Sequence, residues 1–349
     1  MQGHLGAFVV DFDPAFRGLP TSRHEAACAS GAIASLAAAA ELEAGRYDVA
    51  LVVGVEQMKS VDSKTGGDFL GTAAWYEREA RGVEFPFPKL FGKLGDEYDK
   101  RYGLRDEHLA RISAINYDNA KLNPNAQTRT WFMNFDHACS TGQYNANIGG
   151  RIRLADCSQV TDGAVGLVFA SRAFAEKYAK RMGIPIDKIP RILGWGHRTA
   201  PIEFAKKIAE SRNDPYVLPH TRRAILDAFA RAGLAGVDQV DAIETHDCFT
   251  TSEYMAIDHF GLTKPGESWK AVEEGVIALG GKCPINPSGG LIGAGHPVGA
   301  TGARQLLDAF LQCTHGAGDY QVDGAKRVAT LNIGGSGTTS VVHVVGLDS

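Results

Sequence analysis

Residues 25–54, EAACASGAIASLAAAAELEAGRYDVALVVG, decide the fold class because they predict a complete strand–helix–strand unit. Alanine is the strongest helix former, so the run Ala32–Leu42 predicts a helix, and Gly45 is suited to end it. The apolar run Val49–Val53 lacks polar alternation, which is typical of a parallel strand buried on both faces. The residues before Cys28 are interpreted as the first strand of the unit. The Cys28 thiol is therefore expected where that strand ends and the helix begins.

The last third of the chain repeats this organisation. Residues 286–297 form a glycine-rich loop that leads into a predicted helix over Gly299–Gln312, with apolar residues at helical spacing. Two closing strands are predicted over Arg327–Leu331 and Thr339–Val345. Residues 59–160 are richer in charged and aromatic side chains and are interpreted as an inserted subdomain. The pattern predicts an α/β protein with polar residues at strand ends, where open sheets of this class bind ligands.

Four further elements are predicted from the sequence. One helix is clear inside the inserted subdomain, over Asp106–Ala120. After the inserted subdomain, strands and helices alternate regularly again, beginning with a strand over residues 162–170. A later strand, Val240–Glu244, is followed by a helix over Thr251–Phe260, so the residues between them lie at a strand end.

The composition excludes several classes of function. The 349 residues are 44% hydrophobic, and 36 basic side chains against 40 acidic ones give a net charge of −4. This balance creates no field that would attract nucleic acid. No apolar run reaches the roughly 18 residues of a membrane span. Six cysteines without Cys-x-x-Cys spacing argue against a zinc site or a disulfide framework, so a reducing, cytoplasmic setting is expected.

Cys28 and His296 are the first two candidates for catalysis. A thiol at a helix N-terminus is expected to have a lowered pKa, which favours the nucleophilic thiolate. The alternative is a small buried apolar cysteine. His296 lies between Gly295 and Pro297 in the glycine-rich loop, and histidine is the natural base for a thiol near neutral pH. Its alternative is a histidine of a surface loop.

The segment His246-Asp247-Cys248-Phe249 places an imidazole, a carboxylate and a thiol together at a strand end. The alternative for Asp247 is a structural role as the cap of the helix that follows. The glycine-rich turns lack the order of a dinucleotide or ATP motif, so neither cofactor is supported. Their backbone N–H groups are suited instead to stabilise an oxyanion.

Four segments, in this order, resemble the active-site motifs of thiolases of the sterol-carrier-protein type: Cys28–Gly31, His246–Phe249, Gly295–Pro297 and Asn332–Gly335. The resemblance runs from about Gln2 to Val345. It implies the thiolase fold, in which two similar βαβαβ halves form a five-layered α/β/α/β/α core with an inserted loop domain.

The family plan divides this chain into three parts. Residues 1–58 and 161–185 would form the N-terminal half, residues 59–160 the loop domain, and residues 186–349 the C-terminal half. Family members usually carry a strand–helix–strand unit before the nucleophile, whereas 27 residues precede Cys28 here. This departure leads us to expect an exposed sheet edge and exposed apolar helix faces, which favour aggregation.

The resemblance implies an acyl-CoA C-acyltransferase. Cys28, activated by His296, would attack the 3-oxo carbonyl of a 3-oxoacyl-CoA, and an acetyl-CoA or propionyl-CoA enolate would leave. Free CoA would then take the acyl group from Cys28. The reverse Claisen condensation is equally implied, within lipid metabolism such as fatty-acid β-oxidation. CoA is a substrate, and no cofactor or metal is expected.

The remaining roles follow from the same resemblance. Asn332 stands where most thiolases have their acid cysteine, so Cys248 would protonate the enolate and Asn332 would contact substrate. His246 and His296 would form one oxyanion hole, and the backbone N–H groups of Cys28 and Gly335 the other. Ser158 matches the serine that contacts pantetheine.

The resemblance also implies an oligomeric partner and two alternative functions. A homodimer is expected. One alternative is a thiolase-fold retro-aldolase that acts on sterol side-chain thioesters with a small OB-fold partner; such relatives dispense with the nucleophile, so Cys28 together with His296 argues against it. Another alternative is a non-catalytic scaffold subunit.

Overall fold

The computed structural model describes residues 3–347. Its strands are β1 (Val49–Glu56), β2 (Asn147–Gly149), β3 (Ile152–Arg153), β4 (Gly163–Ala170), β5 (Arg191–Thr199), β6 (Ala242–Glu244), β7 (Arg327–Gly334) and β8 (Thr339–Gly346). Its α-helices are α1 (Phe8–Phe12), α2 (Ser30–Glu43), α3 (Ser63–Gly71), α4 (Pro86–Tyr102), α5 (Asp106–Leu122), α6 (Phe135–Cys139), α7 (Arg172–Met182), α8 (Phe204–Glu210), α9 (Pro219–Arg231), α10 (Thr250–Phe260), α11 (Ser268–Glu273), α12 (Gly290–Ala294) and α13 (Thr301–Cys313). None of these helices is long and apolar enough to cross a bilayer.

The main sheet has the strand order β5-β8-β7-β6, in which β6 and β7 are parallel and the other pairs antiparallel. Helix α9 packs against β5 and β8, and α13 packs against β7 and β8. The strands β7 and β8 are almost wholly buried because helices cover them. Two glycines of β5, Gly194 and Gly196, let the backbone of α9 approach so closely that a Cβ at either position would collide with it. The sheet and its helices form the scaffold for the chemistry described below.

The second sheet differs from the prediction. Strand β1 pairs antiparallel with β4, so the expected parallel strand is wrong. Burial on both faces is also wrong, because alternate β1 residues (Val49, Leu51, Val53, Val55) are between 40 and 62% exposed. Only the other face of β1 packs against helices, namely α2 and α13. The structure therefore carries an exposed apolar sheet face in its first half, which differs from the exposed sheet edge and helix faces that the sequence led us to expect.

The strand expected before Cys28 is absent from residues 3–48. That segment contains short helical turns, α1 and α2, and its β structure is confined to an isolated bridge between Ala26 and Cys28. The predicted helix over Ala32–Leu42 is confirmed as α2, with Gly45 in the left-handed conformation just beyond it. Local helix propensity was therefore sufficient for α2, whereas a strand needs a neighbour to pair with.

The inserted region contains more helix than its composition indicates. The helix predicted over Asp106–Ala120 is confirmed as α5, but α4 was missed. Pro86 and Pro88 stand in the first turn of α4, where proline is tolerated, and they disguised the helix as a loop. Helix α4 buries Phe91 against Phe249, with ring centroids 4.8 Å apart. The division of the chain into two halves and a loop domain stays a prediction.

The crossing of α2 and α13 brings two distant parts of the chain together. At Gly31 a Cβ would lie 2.8 Å from the backbone nitrogen of Ala303, and at Gly302 it would collide with Ala32. Glycine at both positions lets the two helices touch backbone to backbone near their N-terminal ends. The turn before α2 carries Cys28, and the loop before α13 carries His296. The fold therefore places these two residues side by side.

Candidate active site

Cys28 lies in a tight turn that directly precedes α2. Ala27 has a left-handed φ of 52°, an unusual conformation for a residue with a side chain. Ser30 holds this turn, since its hydroxyl donates to the Ala27 carbonyl at 2.6 Å and accepts from the Ala26 N–H at 3.0 Å. The structure thus fixes Cys28 between a strained residue and a helix start, a placement typical of functional turns.

His296 is held at three points. Its backbone N–H donates to the Gln159 carbonyl at 2.8 Å, and its carbonyl accepts from Thr161 at 3.2 Å. Its Nδ1 lies 2.7 Å from the hydroxyl of Thr301, which in turn donates to the Pro297 carbonyl at 3.3 Å. Because the Thr301 hydrogen points to that carbonyl, we assign the ring hydrogen to Nδ1. Nε2 of His296 is left with a free lone pair.

Asn332 favours the other tautomer at His246, with the ring hydrogen on the opposite nitrogen from His296. The Asn332 side-chain Nδ2 donates to Nδ1 of His246 at 3.1 Å. The ring hydrogen of His246 is therefore assigned to Nε2, which can donate a hydrogen bond. The two imidazoles lie edge to face, with centroids 5.3 Å apart. His296 can thus accept a proton at Nε2, and His246 can donate a hydrogen bond from Nε2.

The expected catalytic groups converge in one buried place. Sγ of Cys28 and one ring nitrogen from each of His246 and His296 lie within 4.8 Å of one another. These three residues and Cys248 are at most 8% exposed. His296 is buried, so its alternative as a surface-loop histidine is wrong. Cys28 is buried as well, as its alternative as a small buried cysteine also requires, so its role as nucleophile stays a prediction.

The pKa of Cys28 contradicts the sequence prediction. Burial raises it to about 12, although the backbone N–H groups of Gly335 and Cys28 act in the lowering direction. Burial also lowers the pKa of His296 to about 3, assisted by the charge of Arg304. The helix N-terminus was expected to dominate, but loss of hydration of the thiolate outweighs it. The resting site therefore holds a neutral thiol and a neutral imidazole.

Cys248 and Ser158 lie beside the buried site that contains Cys28, His246 and His296. The Ser158 backbone N–H donates to the Cys248 carbonyl at 2.9 Å, and the backbones of Cys157 and Phe249 form an isolated antiparallel β-bridge. Sγ of Cys248 lies 3.7 Å from the Ser252 hydroxyl. Burial, followed by the negative charge that Cys28 would carry, raises the pKa of Cys248 well above its usual value. Contact of Ser158 with pantetheine stays a prediction.

Asp247 has a structural role, but not the expected one. Its carboxylate accepts from the backbone N–H groups of Leu291 at 2.6 Å and Ile292 at 3.0 Å, and from Asn116 at 2.9 Å. It therefore caps α12 and not the following helix α10, so the alternative stated for it is corrected. Burial raises the pKa of Asp247 to about 6. The contact ties the loop of His246 to the glycine-rich loop of His296.

Two positioning residues were not found from the sequence. Thr301 stood within the predicted helix without a signal of its own. Lys207 stands in α8 among charged neighbours, which is typical of a solvated face, yet it is buried. Its Nζ donates to the Ser336 hydroxyl at 2.7 Å, the Ser336 carbonyl at 3.0 Å and the Ile202 carbonyl at 3.1 Å. Lys207 thereby fixes the turn in which Gly335 has a left-handed φ of 63°.

Comparison with known proteins agrees with the geometry. Residues 16–130 match the family model described as the thiolase N-terminal domain, and residues 204–347 match the thiolase C-terminal domain-like model. The chain is 33% identical over 347 residues to the acetyl-CoA acetyltransferase of Methanothermobacter thermautotrophicus, covering 98% of this chain and 84% of that protein. It is 30% identical over 336 residues to human sterol carrier protein 2, covering 93% of this chain and 58% of that protein.

Solved structures share the fold. The Ltp2-ChsH2(DUF35) aldolase superimposes with a TM-score of 0.72 at 20% identity, covering 93% of this chain and 78% of that one. A monomeric SCP2-thiolase-like protein type 1 from Mycobacterium smegmatis gives 0.66 at 17% identity, covering 93% and 62%. Together with the sequence matches, these likenesses identify the chain as a member of the thiolase family.

Proposed function

We propose that the protein is an acyl-CoA C-acyltransferase that cleaves 3-oxoacyl-CoA with CoA, or runs the reverse Claisen condensation, through an acyl-Cys28 intermediate. The observation that supports this most is the convergence of the Cys28 thiol with His246 and His296 within 4.8 Å. A thiol beside an imidazole with a free Nε2 lone pair is the arrangement that covalent acyl transfer requires.

In the first half-reaction, Nε2 of His296 takes the Cys28 proton as Sγ bonds to the 3-oxo carbonyl carbon. The raised pKa of Cys28 makes this transfer unfavourable before substrate arrives, so the thiolate forms only as it attacks. The oxyanion lies near the N–H groups of Cys28 and Gly335, each donor contributing about 3 kcal/mol to barrier lowering. The carbon–carbon bond then breaks, and its electron pair becomes an enolate.

The enolate oxygen accepts hydrogen bonds from Nε2–H of His246 and from protonated His296. Cys248 donates its proton to the enolate carbon, and acetyl-CoA or propionyl-CoA leaves while the shortened acyl group stays on Cys28. In the second half-reaction the Cys248 thiolate takes the proton of free CoA, whose sulfur attacks the acyl carbonyl. Cys28 leaves as a thiolate and recovers its proton from His296, so every group returns to its starting state.

The test is turnover of acetoacetyl-CoA with and without added CoA. We expect cleavage that requires CoA, with the parallel double-reciprocal lines of a ping-pong reaction. Cys28→Ala and His296→Asn should abolish it, whereas Cys139→Ala, a free cysteine outside the site, should retain it. Cleavage of a 3-hydroxyacyl-CoA without CoA, with no turnover of acetoacetyl-CoA, would favour the aldolase alternative, and absence of turnover of either substrate class over a range of chain lengths would favour the scaffold.

We also propose that the protein forms a homodimer. The family expectation is a homodimer, and the aldolase relative with similar fold is named as a complex of Ltp2 with ChsH2, which keeps an OB-fold partner among the alternatives. Size-exclusion chromatography with light scattering decides between monomer and dimer. A monomeric chain with full turnover would remove the dimer from the account.

A further inference from the structure

The three converging donors also have the composition of a metal site. Sγ of Cys28 and the ring nitrogens of His246 and His296, named here the Cys-His-His cluster, lie within 4.8 Å of one another. Donors around a tetrahedral zinc ion are separated by about 3.3–3.6 Å, given metal–ligand lengths of about 2.0–2.3 Å. Each donor therefore needs to move inward by at most about 0.7 Å, which small changes in side-chain torsion angles can supply.

The outer contacts of both imidazoles match those of metal-bound histidines. A ligating histidine usually has its second ring nitrogen held by a neighbour, which orients the ring. Nδ1 of His296 is held by Thr301 at 2.7 Å, and Nδ1 of His246 by Asn332 at 3.1 Å. These contacts leave Nε2 of each ring as the atom free to face the Cys28 sulfur.

His246 must change its hydrogen from Nε2 to Nδ1 before it can ligate, and Asn332 permits this. Oδ1 of Asn332 is buried without a partner. A half-turn of the amide exchanges Oδ1 and Nδ2, so that Oδ1 accepts from Nδ1–H and the Nε2 lone pair is freed. The turn loses no hydrogen bond, because one amide atom of Asn332 is unpartnered in either orientation.

The donor set selects the class of ion. A thiolate with two imidazoles suits a borderline-soft ion such as Zn²⁺, whereas Mg²⁺ and Ca²⁺ need oxygen ligands. The neighbouring carboxylate of Asp247 is committed to Leu291 and Ile292 and is not offered to the cluster. Three protein donors leave a fourth position for water or substrate.

We propose that Cys28, His246 and His296 bind one divalent ion of the zinc class, and that the bound ion stops acyl transfer. The ion replaces the proton of Cys28, forming an S–metal bond and releasing one H⁺ to solvent. The sulfur lone pair that would attack a carbonyl is then shared with the metal, and Nε2 of His296 can no longer accept a proton. The inhibitory part of this inference rests on the proposed function; the binding part does not.

The test of binding is a Co²⁺ titration of the purified chain without substrate. We expect one Co²⁺ per chain, with thiolate-to-cobalt charge-transfer absorption and the visible bands of four-coordinate cobalt. Cys28→Ala and His296→Asn should abolish the spectrum, and Cys283→Ser, at a buried free thiol outside the cluster, should retain it. Thr301→Val should weaken binding about 10- to 100-fold. Thermal melts confirm that each variant is folded.

The site is overturned if wild type gives no charge-transfer band, or if folded Cys28→Ala gives the wild-type spectrum. Inhibition is tested separately, with Zn²⁺ in the acetoacetyl-CoA assay, where we expect loss of turnover that a chelator restores. Zinc that binds without inhibiting would overturn the inhibitory part. If the chain cleaves no acyl-CoA, the cobalt titration still decides the metal site.

Discussion

Thr301 offers the sharpest perturbation of the catalytic base. Its hydroxyl lies 2.7 Å from Nδ1 of His296, and the contact fixes the ring hydrogen on the nitrogen that faces away from Cys28. Thr301→Val has the same shape but removes the acceptor, leaving a buried N–H unsatisfied. Such a group costs about 1–3 kcal/mol. We expect acylation of Cys28 to slow by about 5- to 150-fold, since 1.4 kcal/mol corresponds to a factor of ten.

The assay is single-turnover acylation by acetyl-CoA, followed by rapid quench and mass measurement of the protein. Thr301→Ser keeps the hydroxyl and should restore most of the rate. Urea unfolding of each variant separates a loss of stability from a loss of rate. A folded Thr301→Val protein that acylates at the wild-type rate would show that Thr301 does not position His296, as would a Thr301→Ser protein that is as slow as Thr301→Val.

Three further predictions concern the acid, the oxyanion turn and the exposed sheet. Cys248→Ala should still acylate Cys28 from acetyl-CoA, but more slowly because the departing CoA loses its proton donor, and it should lower α-proton exchange of acetyl-CoA in deuterated buffer by about 10²- to 10⁴-fold; unchanged exchange removes Cys248 from the acid role. Burial lowers the pKa of Lys207 to about 8, from 10.5. The folded protein therefore resists charging this lysine, which contributes a rise of about 3 kcal/mol in the free energy of unfolding between those pH values. The buried thiols, whose pKa values are raised, act in the opposite direction above pH 9, so the contribution of Lys207 is read from the difference in free energy of unfolding between wild type and Lys207→Met. Urea titrations should show this difference rising with pH in favour of wild type, and a difference independent of pH would contradict the assignment. Val55→Thr with Val168→Thr, at positions 62 and 72% exposed, should reduce aggregation seen by light scattering without lowering turnover; unchanged aggregation would show that this face does not drive it.

Local signals in the sequence were enough for the elements whose stability is local. The alanine run of α2 and the apolar spacing of α13 predicted those helices closely. Strand β1 was misassigned because burial and direction depend on its neighbours, and β4 is more than 100 residues away. Helix α4 was missed because its initial prolines resemble a loop signal.

The candidate site was found for a different reason. Four short motifs identified Cys28, His246, Cys248 and His296, and the structure brings them together. Their ionisation was not predictable from position, because the raised pKa of Cys28 results from burial by the whole fold. The support of Lys207 for the Gly335 turn depends on a contact 129 residues apart in the chain, for which the sequence gives no signal.

Peptide mapping by mass spectrometry, after brief incubation with acetyl-CoA and acid quench, shows whether Cys28 carries the acyl group. We expect one acetyl group per chain, located on the peptide that contains Cys28, and removed when CoA is added before the quench. An unmodified Cys28 peptide in folded protein, across short and long acyl chains, would contradict the claim that this thiol carries the acyl group.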